Sequence, residues 1–217
     1  ERFSNLPAYA FPRLRALLDS HPPGGEPVAM SIGEPKHAFP AWIQDILVAH
    51  MSEFNAYPPN DGNPELLSNI AAWIARRYGV CVNPVTDILS LNGTREGLYN
   101  AAMALCPEAK AGQPPLVLLP NPFYQVYLAA TFSVAAQPHL VTARAANSFS
   151  PDYASLSPDV LNRTAIAYIC SPSNPQGAVA SPAYLKSLIE LAETYDFKIF
   201  ADECYSEIYR KGAPSGA

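Results

Sequence analysis

Four short segments of this 217-residue chain bring together residue types that can do chemistry. In the first, Asn92-Gly93-Thr94-Arg95-Glu96-Gly97-Leu98, a glycine turn feeds a helical stretch whose free N–H groups and positive dipole end suit a phosphate. A Gly-Thr turn of this kind is also an ordinary helix cap. The second, Pro120-Asn121-Pro122-Phe123-Tyr124-Gln125-Val126-Tyr127, gathers aromatic rings on which a planar heterocycle could stack, or which could simply pack into a core. In the third, Ser171-Pro172-Ser173-Asn174-Pro175-Gln176-Gly177, two prolines stiffen the backbone around Asn174. The fourth opens at Asp202, a carboxylate that closes an apolar run and is followed by Glu203, Tyr205 and Glu207; capping the next helix is its simplest role.

Each segment follows a short apolar run: DILSL at 87–91, PLVLL at 115–119, AIAYIC at 165–170 and FKIFAD at 197–202. These read as buried strands. The stretches 94–105, 123–131 and 182–195 suit helices, the last opening with Ser181-Pro182 and repeating Leu185, Leu188, Ile189, Ala192 and Tyr195. Alternation of strand and helix implies an α/β fold with a largely parallel sheet. Such sheets bind ligands beyond the carboxyl ends of their strands, where all four segments stand. Upstream, apolar spacing predicts helices over 41–54 and 64–78, the second with Asn63 as N-cap and Pro64 at the first helical position. The 23 prolines fall between these periodic segments rather than in a low-complexity tract.

Composition narrows the function. Apolar residues make up 49% of the chain and charged residues 15%, and no apolar run approaches the roughly 18 residues of a membrane span. The nine arginines and five lysines are scattered under a net charge of -5, which leaves no basic face for nucleic acid. Cys81, Cys106, Cys170 and Cys204 lack the close spacing of metal or dithiol sites, so buried, reduced thiols and no metal are expected. The opening ERFSNLPAYAFPRLRALL has no long apolar core with a cleavage site, and a cytoplasmic location is expected. Beginning at Glu1 and stopping in KGAPSGA, the chain reads as part of a longer protein.

Taken in order, SIGEP, NAYPPNDGNPEL, NGTREGL, PNPFYQVY, SPSNPQG and DECYSEIY resemble the pyridoxal-phosphate (PLP) dependent class I and II aminotransferases of fold type I, over nearly all of residues 28–210. The resemblance implies that the backbone amides of Thr94 and Arg95 hold the cofactor phosphate and that Tyr124 stacks on its pyridine ring. Asn174 and Tyr205 would hydrogen-bond the ring's phenolic oxygen, and Asp202 would pair with the protonated ring nitrogen, a proton that makes PLP a better electron sink. Gly33 matches a glycine that approaches the substrate carboxylate, and Tyr57 a tyrosine that reaches the phosphate of a neighbouring subunit, which implies a homodimer. The Schiff-base lysine of the family falls downstream of this chain, so the catalytic residue is not assigned; Lys211 lies only nine positions after Asp202 and is not a candidate.

The expected architecture is the fold type I large domain over residues 51–217, incomplete at its C-terminus, preceded by an arm and small-domain segment over residues 1–50. Within the family, SIGEPKHAFPAWI and DECYSEIY are most similar to bacterial N-succinyl-diaminopimelate aminotransferases of lysine biosynthesis, which implies small amino acid and keto acid substrates. Another amino-acid aminotransferase or a β-lyase on the same scaffold remains open, as does a non-catalytic PLP-fold module.

Overall fold

A computed structural model of the chain describes residues 3–4, 8–28, 30, 32 and 37–217. Two compact units form, a smaller one over Asn5–Asn63 and a larger one built on Pro64–Ala217. The smaller unit holds helix α1 (Ala10–Asp19) and helix α2 (Trp42–Ala49), neither with a buried residue, and a 3-10 turn at Met51–Asn55. The single helix expected over 41–54 is thus broken at His50. That residue leaves helical geometry (φ -108°, ψ 13°), and its N–H is shared between the carbonyls of Ile46 and Leu47.

In the larger unit α3 (Pro64–Tyr78) starts at the expected proline, and α4 (Thr94–Leu105) starts at the expected glycine turn. Four strands follow, β1 (Leu116–Asn121), β2 (Gln137–Thr142), β3 (Thr164–Cys170) and β4 (Lys198–Asp202), interleaved with α5 (Gln125–Ser133), α6 (Pro158–Arg163) and α7 (Pro182–Tyr195). Every pairing is parallel, in the order β2-β1-β3-β4. The central strands β1 and β3 are buried almost throughout, as continuous apolar runs covered on both faces must be. Their side chains alternate between two cores. Leu118, Ala167 and Ile169 pack with Leu185 and Leu188 of α7, while Val117, Leu119, Ile166 and Tyr168 pack with Ala102 of α4 and with Tyr127 and Ala130 of α5. The α/β expectation holds, with helices on both faces of a parallel sheet.

Two further local expectations are corrected. DILSL forms no strand: it has no pairing partner among the described residues, and Leu89 and Leu91 are 67% and 52% exposed. The helix expected over 123–131 begins two residues later, because Tyr124 is extended (φ -75°, ψ 128°) and serves as its N-cap. Strand β2 and helix α6 went unforeseen. Gln-Pro-His at the start of β2 breaks the apolar pattern, yet β2 is an edge strand, where a proline such as Pro138 is tolerated. Helix α6 is only six residues long, too short for periodicity, but Ser157 accepts a hydrogen bond from the Val160 N–H and Pro158 follows it.

Candidate functional site

The chain runs outward from β1 to the edge strand β2, then crosses back to β3 and β4, so the order in which strands are added reverses between β1 and β3. Open α/β sheets bind ligands at the carboxyl edge beside such a reversal. The segments after β1, β3 and β4 all leave from that edge, and the turn at Gly93 presents the start of α4 to it, with Thr94 meeting Cys204 just past β4.

Asp202 is the last residue of β4 and is buried. It lies opposite Cys170 in the sheet register, and its carbonyl accepts from the Ser171 N–H at 3.1 Å. One carboxylate oxygen accepts from the Tyr127 hydroxyl at 2.6 Å and the other from the Cys204 N–H at 3.2 Å. Among the described residues no cationic side chain pairs with it. A buried carboxylate is costly without hydrogen bonds or a cation, and here only the hydrogen bonds are supplied.

The groups around it respond to burial and to that charge. Burial, reinforced by Asp202, pushes the Tyr127 phenol far above its ordinary range, so it stays a hydrogen-bond donor. Burial and then Asp202 raise the Cys170 thiol to about 11, and burial also raises Cys204. Both thiols are therefore poor nucleophiles. All four cysteines are free; Cys81 and Cys204 are exposed and Cys106 and Cys170 half-buried, which corrects the expectation that all are buried.

Tyr127, in the sequence only one of the rings of the aromatic segment, follows Tyr124 by three residues, a spacing that puts both on one face at a helix start. Its ring stacks on Tyr168 (centroids 4.4 Å apart, planes at 12°) and meets Tyr124 edge-on at 5.7 Å. Tyr124 in turn accepts from the Arg95 Nε at 2.8 Å. The Asn174 amide donates to the Tyr205 hydroxyl at 3.2 Å, and the Cys204 thiol donates to the Thr94 hydroxyl at 3.1 Å. Of the residues singled out in the sequence, Arg95 thus pairs with Tyr124 and Asn174 with Tyr205, while Thr94 and Asp202 are both linked to Cys204, at one edge of the larger unit. Tyr57 belongs to the smaller unit and is fully exposed. Gly33 lies outside the described residues.

The donor set fits PLP. At the start of α4, Gly93 (φ 116°, ψ 153°) offers no side chain, and a helix start presents backbone N–H groups and the positive dipole end that suit an anion. Aromatic rings, a pair of hydrogen-bonding groups at Asn174 and Tyr205, and a buried carboxylate lacking a cation complete the complement to a phosphorylated, protonated pyridine. Among the described residues no group of three or more His, Cys, Asp or Glu could hold a metal, and no helix is long and apolar enough to cross a membrane.

The family model for aminotransferase class I and II matches residues 26–215. Among curated relatives, the LL-diaminopimelate aminotransferases of Moorella thermoacetica and Desulforudis audaxviator are each 32% identical, over 99% and 96% of this chain and 55% and 53% of their own. The chain spans about half the length of these relatives. Among solved structures, an aminotransferase from Neisseria meningitidis superposes with a TM-score of 0.90 at 38% identity, and the aminotransferase AspB from Helicobacter pylori with 0.88 at 33%. These cover 99% and 98% of this chain and 55% of each of those.

Proposed function

Since the chain belongs to the class I and II aminotransferases, a PLP-dependent family, we propose that the protein carrying it transfers amino groups between an amino acid and a keto acid, with the edge of β1, β3 and β4 as the cofactor cradle. The observation that carries this is the buried Asp202 carboxylate, hydrogen-bonded by Tyr127 and lacking a cation. When bound, PLP supplies an electron sink for the carbanion at the substrate α-carbon. Asp202 would hold the proton on the ring nitrogen, and the Tyr127 hydroxyl would fix the carboxylate's orientation toward it. Amides of Thr94 and Arg95 would bind the phosphate, Tyr124 would cover the ring face, and Asn174 and Tyr205 would donate to the phenolic oxygen.

In this reading residues 1–50 are an arm and small-domain segment and 51–217 the cofactor domain. Gly33 approaches the substrate carboxylate and Tyr57 reaches the phosphate of a partner copy in a cytoplasmic homodimer. Sedimentation of the full-length protein as a monomer would remove the dimer from the account.

For the substrate we propose glutamate as donor and N-succinyl-2-amino-6-oxopimelate as acceptor, on the sequence resemblance of SIGEPKHAFPAWI and DECYSEIY. A second reading, unblocked LL-diaminopimelate, is favoured by the names of relatives 28–32% identical to this chain. The test compares succinylated and free LL-diaminopimelate as amino donors to 2-oxoglutarate, scored by kcat/KM. Preference for the succinylated compound supports the first reading and preference for the free one the second. Faster transfer from aspartate than from either removes both while leaving transamination in place.

A further inference from the structure

Tyr205 sits just past the end of β4, on a segment that regular structure does not hold. After β4 the chain makes a turn closed by the Ser206 N–H on the Glu203 carbonyl and the Ile208 N–H on the Tyr205 carbonyl, each at 3.0 Å. Two adjacent residues at the C-terminal end of α3 grip this turn on both sides of Tyr205. The Arg77 guanidinium donates from Nε to the Glu207 carboxylate at 2.7 Å, and from Nη2 to the carbonyls of Pro214 at 2.9 Å and Ser206 at 3.4 Å. The Tyr78 hydroxyl donates to the Glu203 carboxylate at 3.0 Å, and its ring lies 4.5 Å from the Arg77 guanidinium carbon. An arginine fork that engages a carboxylate and two carbonyls at once fixes position as well as charge.

We propose that Arg77, supported by Tyr78, is a positioning residue of the cofactor site: it holds the 203–207 turn so that the Tyr205 hydroxyl, paired with Asn174, faces the phenolic oxygen of the cofactor. This rests on the cradle reading above. Neither residue touches the cradle; both act through Glu203 and Glu207, which flank Tyr205.

The experiment titrates with pH the visible absorbance of PLP bound to the full-length protein. Donors to the anionic phenolic oxygen favour its charged form and hold the midpoint low, so Tyr205→Phe should raise it by about 1 pH unit. Arg77→Leu should raise it in the same direction by less, and the double variant should exceed Tyr205→Phe alone by nothing. Arg77→Lys, which keeps the charge but not the fork, should fall between parent and Arg77→Leu. If Arg77→Leu does not fold, Glu207→Gln, altered at the exposed end of the same pair, should shift the midpoint upward instead. A midpoint at the parent value in the Arg77 and Glu207 variants, while Tyr205→Phe shifts it, would overturn the inference and leave the cradle standing, whatever the melting temperatures do. An unshifted Tyr205→Phe would overturn the placement of Tyr205, and this inference with it.

Discussion

At the scale of single residues, the centre of the account is a carboxylate held by neighbours rather than neutralised by them. Tyr127→Phe removes one of the two donors to Asp202 and leaves a buried oxygen unsatisfied, at a cost of about 1–3 kcal/mol. Urea denaturation should show that loss together with faster release of PLP from the full-length protein; unchanged stability would mean that Asp202 finds a replacement partner. The thiol opposite Asp202 gives a pH test. A Cys170 thiol raised to about 11 is roughly a thousandth thiolate at pH 8, and the thiolate is the reactive form. Alkylation of Cys170 in the cofactor-free protein should therefore climb about tenfold per pH unit up to about pH 11, and at pH 8 lag well behind exposed Cys81. Equal labelling of the two at pH 8 would contradict the burial and charge assigned to this site. Asp202 and Asn174 stand out in the sequence because one closes a strand and the other sits in a proline-stiffened segment, whereas Tyr205 entered through the family resemblance. Tyr127 was not singled out, because a tyrosine in an apolar helix looks the same whether it fills a core or holds a carboxylate.

At the scale of elements, the start of α4 depends on one backbone conformation. Gly93 occupies φ 116°, ψ 153°, a region essentially closed to residues with a Cβ, although nothing within 4 Å would obstruct one. Gly93→Ala should cost about 1–3 kcal/mol through backbone strain alone and weaken PLP binding by misaligning the Thr94 and Arg95 amides. A variant with parent stability and parent affinity would show that the turn tolerates rearrangement. Helices α3, α4 and α7 were readable to the residue because each carries its own start signal: Pro64 at the head of α3, the Gly93 turn before α4 and Ser181-Pro182 before α7. DILSL misled because an apolar run marks a strand only when a neighbour pairs with it. The edge strand β2, with Pro138 inside it, carries little pattern of its own and is defined by its pairing with β1.

At the scale of the whole molecule, the sheet order β2-β1-β3-β4 brings three separated stretches of sequence to one edge, and the Thr94–Cys204 contact brings the fourth to it. The Gly93 turn, the aromatic segment, the Asn174 loop and the Asp202 strand end each have an ordinary structural role taken singly. Their order along the chain suggested a common site, and the parallel topology supplies the reason they meet. The most direct measurement exposes the PLP-loaded full-length protein to glutamate alone and follows the bound cofactor's absorbance together with keto acid. The expected result is conversion of the aldehyde form of the cofactor to its amine form, matched one for one by 2-oxoglutarate. Asp202→Asn should slow this step by about a hundredfold or more, the scale of a broken buried ion pair. A loaded protein whose spectrum does not change and which yields no keto acid, or an Asp202→Asn variant that converts at the parent rate, would contradict it.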